Sequence, residues 1–224
     1  NKLLIKPISE KEFELILSKS NFTCEKFPHV AIGFSGGSDS LALLLLMKDW
    51  IKSHDGSLTI IYFNHKLRKE SLNELKFAKN LAYKFKFHFK ALEWNSKNQK
   101  KNSIMQQARE IRYKEIINYC KDKKIISFMT GHHFDDSLET FVMRKKRKFA
   151  TLGLSSIPET HYKKNLQIIR PLIGIEKKRL IQTCLLKNYK WMDDISNKNS
   201  IFERVRIRKE LRVLNKKSRI LLSN

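Results

Sequence analysis

Ser35-Gly36-Gly37-Ser38-Asp39-Ser40 stands between a short apolar, partly β-branched run, Val30 to Phe34, and a fully apolar stretch, Leu41 to Met47. Adjacent glycines let backbone N–H groups approach an anion closely, and a helix that starts there adds its partial positive charge. The three serine hydroxyls can donate to phosphate oxygens, and Asp39 can hold Mg²⁺ against that phosphate. A plain turn between strand and helix is the competing reading of the string alone. Neither a G-x-x-x-x-G-K-[ST] loop nor a G-x-G-x-x-G fingerprint occurs, so any phosphate chemistry is of another type.

A second cluster is Thr130-Gly131-His132-His133-Phe134-Asp135-Asp136-Ser137-Leu138-Glu139-Thr140. Asp136 and Glu139 are spaced i, i+3 on a helix just past a strand end, so both carboxylates can face one cleft. Beside ATP, such carboxylates ligate Mg²⁺ or take a proton from an amine nucleophile. The two histidines lack further ligands at zinc spacing. Arg109, Arg112 and Tyr113 share one helical face at i, i+3, i+4, and arginine forks onto phosphate. His65 and Arg68 follow an apolar run at 58–63, where an α/β sheet places its ligands. The run Arg144-Lys145-Lys146-Arg147-Lys148 reads either as a solvated face or as a contact to a phosphate backbone.

The elements that must position these groups alternate. Apolar runs at 30–34, 58–63, 87–94, 125–129 and 168–173 read as strands, the last one an edge strand or strand terminus because of Pro171. Helical patterns cover 9–19, 41–47, 70–85, 103–120, 134–141 and 180–187, and a strongly basic helix starts at Phe202. Strands alternating with helices predict an α/β fold, a doubly wound parallel sheet flanked by helices. A domain spanning 1–215 with a basic tail at 216–224 is expected.

The chain has 224 residues, 41% of them hydrophobic, which suffices for a core and argues against global disorder. Its formal charge of +24, from 46 basic and 22 acidic residues, favours a polyanionic partner, nucleic acid before membrane. The longest apolar run is too short to span a bilayer, and a cytoplasmic protein is expected. Cys24, Cys120 and Cys184 lie far apart without a C-x-x-C, against a zinc ribbon, an iron–sulfur cluster or a disulfide framework.

Ser35 to Ser40 resembles the PP-loop of the ATP pyrophosphatases, which cleave ATP between its α- and β-phosphates. Taken with N-H-K-L-R, Q-A-R-E-I-R-Y, T-G-H-H-F-D-D-S-L-E-T, R-P-L-I, W-M-D-D-I-S-N and R-V-R-I-R, the chain from Val30 to Arg208 resembles tRNA(Ile)-lysidine synthetase. The resemblance implies a ligase that adenylates the O2 of the wobble cytidine of a CAU-anticodon tRNA(Ile). The ε-amine of free L-lysine then attacks C2, forming lysidine with release of AMP and pyrophosphate. It implies ATP and Mg²⁺ as cofactors and leaves a homodimer open.

Residue roles follow from the same resemblance. Ser35, Gly36, Gly37, Ser38 and Ser40 should cradle the phosphates, helped by His65 and Arg68, while Asp39 holds Mg²⁺. Arg109 and Arg112 should contact ATP or the anionic intermediate. Asp136 should assist the metal or deprotonate lysine, and Glu139 with Asp135 should receive the lysine. Arg144, Lys145, Lys146, Arg147, Arg204, Arg206 and Arg208 should meet the tRNA.

The chain departs from the family's pattern at three places. Lys148 and Phe149 replace a glycine-rich turn, Val205 stands where an Asn is usual, and the chain stops at Asn224 where members continue into helical domains. It opens on Asn rather than Met. The expectation is therefore a minimal form or the catalytic N-terminal domain of a longer protein. Competing readings are a tRNA thiolase of the same superfamily, which needs paired cysteines; an amide-forming ligase such as NAD or GMP synthetase, which needs no such charge; and a catalytically weakened RNA-binding module.

Overall fold

The computed structural model describes residues 5–64, 71–93, 104–147, 157–192 and 203–213. His65, Arg68 and Lys148, the 148–150 loop, the D-D-I-S-N stretch and the 216–224 tail lie outside them.

A six-stranded sheet carries the fold in the order β3-β2-β1-β4-β6-β5, with β1 His29–Phe34, β2 Ser57–Asn64, β3 His88–Glu93, β4 Ser127–Thr130, β5 Thr160–Lys163 and β6 Leu166–Ile169. All neighbours are parallel except β5, which runs antiparallel to β6. From β1 the chain winds outward through β2 and β3, then returns to the other side of β1 to lay down β4. The order therefore reverses between β1 and β4, and a sheet of this kind binds its ligands at that reversal, beyond the carboxyl ends of the strands.

Alternation along the strands separates two cores. Val30, Ile32, Phe34, Leu58, Ile60, Tyr62, Met129 and Ile169 face one side, under α1 Glu10–Lys19, α2 Ser38–Ser53, α3 Ser71–Phe85 and α6 Lys177–Leu186. Ala31, Ile61, Phe128, Leu166 and Ile168 face the other, under α4 Ile104–Asp122. Leu41 to Met47 are all buried, which explains why α2 is apolar on every side rather than along one stripe. Helix α5 Phe134–Lys146 stands at the end of the sheet and packs on α7 Glu203–Val213 through Leu138, Ile207 and Leu211.

Two strand expectations change. Pro171 lies just past the end of β6, so it terminates that strand as expected, but β6 is internal. The edge is β5, whose Thr160 to Lys163 lacks the apolar alternation that would announce a strand. Its pairing is set by the turn to β6, with Lys164 in the left-handed region at φ 55°. Helix α5 also runs past Phe141 to Lys146, because Leu138, Val142 and Met143 have α7 to pack against.

Candidate active site

Strand β1 ends at Phe34 and α2 starts at Ser38, leaving Ser35, Gly36 and Gly37 to turn the chain. Gly36 adopts φ +84°, a left-handed conformation that side chains disfavour. Gly37 is the N-cap of α2 and offers no side-chain cap, so the first-turn amides and the helix dipole are presented to an anion. The Ser40 hydroxyl donates to the Gly37 carbonyl at 3.1 Å, receives the Ser35 N–H at 3.2 Å, and lies 3.2 Å from the Ser35 hydroxyl. These bonds hold the loop curled over the start of the helix. The Met192 N–H donates to the Gly36 carbonyl at 2.9 Å, which brings the Trp191-Met192 stretch against the same loop.

The loop after β4 arrives from the neighbouring strand. Gly131 sits against the first turn of α2 so closely that a Cβ there would lie 2.7 Å from the Asp39 carbonyl oxygen. Behind that contact, buried His133 is surrounded by three carboxylates. Its Nε2 is 3.5 Å from Asp39 Oδ2 and 3.4 Å from Asp136 Oδ2, and its Nδ1 is 3.5 Å from Asp135 Oδ2. Asp136 Oδ2 also accepts the His133 N–H at 3.2 Å at the N-terminus of α5. Burial opposes the imidazolium, yet the surrounding carboxylates outweigh it and raise the His133 pKa to about 9. Asp39 is affected the opposite way. Burial alone would raise its pKa, but His133 and Lys177 hold the carboxyl down at about 2.

Two residues of this cluster were missed by sequence reasoning: His133, set aside for want of zinc spacing, and Lys177. Its Nζ donates to Asp39 Oδ2 at 3.0 Å, and its backbone N–H donates to Asp135 Oδ2 at 2.9 Å. It lies 138 positions from Asp39 in the chain, in a lysine-rich segment where no periodicity singles it out.

Of the expected site residues, Ser35 to Ser40, Asp135 and Asp136 therefore come together. Arg109 and Arg112 separate: Arg109 is exposed over the Tyr113 ring at 5.6 Å, and Arg112 is half-buried over Phe63 at 5.6 Å. Glu139, expected to hold an ammonium group, is 1% exposed and accepts from Arg208 Nε at 2.6 Å and Nη2 at 3.1 Å, with Arg204 Nε at 3.3 Å. A buried carboxylate takes the nearest guanidinium, so Glu139 ties α7 to α5, and the Arg208 it holds also feels Asp136 and Asp39. Arg204 and Arg208 spend charge there, Lys146 pairs with Glu210 at 2.8 Å, and Arg147 pairs with Glu203. Arg144, Lys145, Arg206 and Lys209 add further basic side chains on these two helices.

A glycine turn at a helix N-terminus, at the reversal point of a mostly parallel sheet, agrees with a match of residues 6–214 to the PP-loop domain family. The chain belongs to the PP-loop family. It is an ATP-utilising family, and Ser35 to Ser40 is the stretch of this chain whose sequence resembles its PP-loop. The chain is 38% identical over 184 residues to the tRNA(Ile)-lysidine synthase of Orientia tsutsugamushi, covering 82% of this chain and 41% of that protein. It is 36% identical over 182 residues to the enzyme of the same name from Rickettsia bellii, covering 81% and 42%. It thus spans about two fifths of the length of these curated relatives. Among solved structures, the U34-tRNA thiolase NcsA of Methanococcus maripaludis superposes with a TM-score of 0.77 at 17% identity, over 95% of this chain and 76% of that one. At that identity the likeness shows the PP-loop fold alone.

Proposed function

We propose that this PP-loop protein carries the catalytic part of a tRNA(Ile)-lysidine-forming ligase. The observation that carries the reading is the identity of more than a third with two curated tRNA(Ile)-lysidine synthases over four fifths of the chain. The geometry supports it. The PP-loop and the T-G-H-H-F-D-D loop abut through Gly131, so a nucleotide on the first faces the carboxylates of the second.

Asp39 and Asp136 each direct an oxygen at His133 Nε2, so the two carboxylates converge on one point. Two carboxylates completed by phosphate oxygens and water suit Mg²⁺, which seldom uses an all-protein cage. Among the described residues no group of three or more His, Cys, Asp or Glu side chains forms such a cage. Mg²⁺ bound there would neutralise charge on the triphosphate. Lys177 would be exchanged from Asp39 toward the phosphates, keeping a positive charge beside the leaving pyrophosphate. The reaction on this reading has two steps: ATP adenylates the cytosine O2 of the wobble position, then the neutral ε-amine of L-lysine displaces AMP at C2. On this reading Asp136 has a mixed role, mainly as a carboxylate for the metal and secondarily as acceptor of the amine's proton. The +24 charge supports a polyanionic partner, on this reading a tRNA with a CAU anticodon.

A thiolase reading is disfavoured by the cysteines. Cys120 and Cys184 are buried in different cores with thiols pushed up to about 12 by burial, while Cys24 is exposed, so no thiol pair forms. Among the described residues no helix is long and apolar enough to cross a membrane.

The test is incubation with a CAU-anticodon tRNA, Mg·ATP and labelled L-lysine. Label should enter the RNA only when ATP and tRNA are both present, with AMP and pyrophosphate formed in equal amounts. ADP as the nucleotide product would sink the reading.

A further inference from the structure

Arg170, immediately after β6, is 3% exposed, and every partner it has among the described residues is neutral. One guanidinium nitrogen donates to the Pro158 carbonyl at 2.8 Å and lies 3.0 Å from His161 Nδ1, and the Tyr113 hydroxyl is a further hydrogen-bond partner. The Arg170 Nε is buried with no partner. A buried guanidinium cannot discharge, so a site without a counter-ion carries a desolvation cost that pairing would recover.

Its neighbours add charge of the same sign. Lys163 Nζ lies 5.1 Å from the centre of the Tyr113 ring, and the Arg109 guanidinium lies 5.6 Å from it. Among the described residues no carboxylate hydrogen-bonds Arg109, Lys163 or Arg170. Glu159 is adjacent, but it offers Arg170 its backbone carbonyl, which receives the Arg170 N–H at 2.7 Å. Burial first, then the nearby cations, hold His161 below the ordinary imidazole range and His132 at about 4, the latter against the opposing pull of Asp136, and a neutral imidazole supplies no counter-charge. Three cations thus stand around one phenol, one of them buried with a donor that has no partner, and no carboxylate among the described residues answers them.

We infer that Arg170, Arg109 and Lys163 form a binding pocket for a phosphate of the RNA strand, separate from the PP-loop. The separation follows from the sheet. Arg170 follows β6, two strands from β1, and parallel strands are spaced by roughly 4.8 Å, which puts the pocket about 10 Å from the strand that feeds the PP-loop. Lys163, on the exposed edge strand β5, opens it to solvent on the side away from α2. A strand phosphate fixed there would hold the neighbouring nucleotide against His132 and the carboxylates beyond it. The inference rests on the tRNA reading for the identity of the strand, but not for the presence of the phosphate.

The test measures binding of a CAU anticodon stem-loop RNA across a KCl series, and of ATP alone, for the full chain and for R170Q, R170K and K163Q. Loss of one phosphate contact should lower the log–log salt slope by about 0.7–0.9 and weaken RNA binding on the order of 10-fold in R170Q and K163Q. R170K should keep the slope, and ATP affinity should be unchanged in all three. Unchanged RNA affinity and slope in folded variants would make Arg170 a structural tie of the β5–β6 hairpin and overturn the inference. Weakened ATP binding with an unchanged RNA slope would assign the phosphate to the nucleotide and overturn it equally. Should R170Q unfold, K163Q decides alone, because its side chain is exposed. A missing lysine incorporation beside an intact Arg170-dependent salt slope would overturn the ligase reading and leave the pocket standing.

Discussion

A Cβ atom on residue 131 would stand 2.7 Å from the carbonyl oxygen of Asp39 and 2.9 Å from the amide nitrogen of Ser40. Both are backbone atoms of the first turn of α2, so neither can swing away. The distance between the PP-loop and the His133 carboxylate cluster is thereby set by the absence of a side chain. Gly131→Ala must push the β4–α5 loop off α2. Overpacking of this kind costs about 1–3 kcal/mol. A lowered melting temperature should accompany a loss of pyrophosphate release larger than the stability change explains. An alanine variant with normal melting and normal turnover would show that the loop can shift without consequence.

Asp39 has two cationic partners, His133 and Lys177. Asp39→Ala removes the carboxylate and leaves both cations facing the phosphate site. Pyrophosphate release should fall by on the order of 10²–10³, the usual loss for one electrostatic contact to reacting groups. ATP binding without Mg²⁺ should weaken far less, because the two cations remain. Near-normal release would reduce Asp39 to a helix-start residue.

Asp136→Asn keeps size and hydrogen bonding but removes charge and basicity. Free lysine's ε-amine, with a pKa near 10.4, is mostly protonated at neutral pH. If Asp136 served only as the base, adenylated tRNA should accumulate and higher pH should restore transfer. Its oxygen shares His133 Nε2 with Asp39, which favours the metal-holding role, so pyrophosphate release itself should drop and alkaline pH should not rescue it. Single-turnover measurement of pyrophosphate and incorporated lysine on the same samples separates the two. Normal rates for both would remove Asp136 from the mechanism.

Glu139 joins α5 to α7 with both carboxylate oxygens on Arg208. Glu139→Ala leaves Arg208 half-buried without its anion, and breaking a buried pair from one side costs about 3–5 kcal/mol. A large fall in melting temperature is expected, together with protease sensitivity near residues 203–213. Reversal of charge at both ends, E139R with R208E, should recover part of the loss. An unchanged melt for Glu139→Ala would mean that Leu138, Ile207 and Leu211 dock α7 unaided.

The alternating apolar runs, the S-G-G-S-D-S turn and the acidic string after the fourth strand were all legible in the sequence, because each rests on local rules. Strand and helix periods, glycine at a left-handed turn and carboxylates in a first helical turn need no knowledge of what lies across the chain. The start of the helical pattern at 9–19 is of the same kind, since Ser9 caps α1 by accepting the Glu12 N–H three residues on. Tertiary structure alone decided the rest, since it depends on pairs far apart in sequence. Lys177 becomes a site residue only because α6 packs beside α2, bringing its ammonium to Asp39 from 138 positions away. Glu139 meets two arginines of α7 only because that helix docks on α5. Strand β5 exists because β6 offers it an edge, and Arg170 stands buried among cations because that hairpin folds over Tyr113. Charge type and spacing can be read along a chain, but which charge meets which is fixed only when the helices dock.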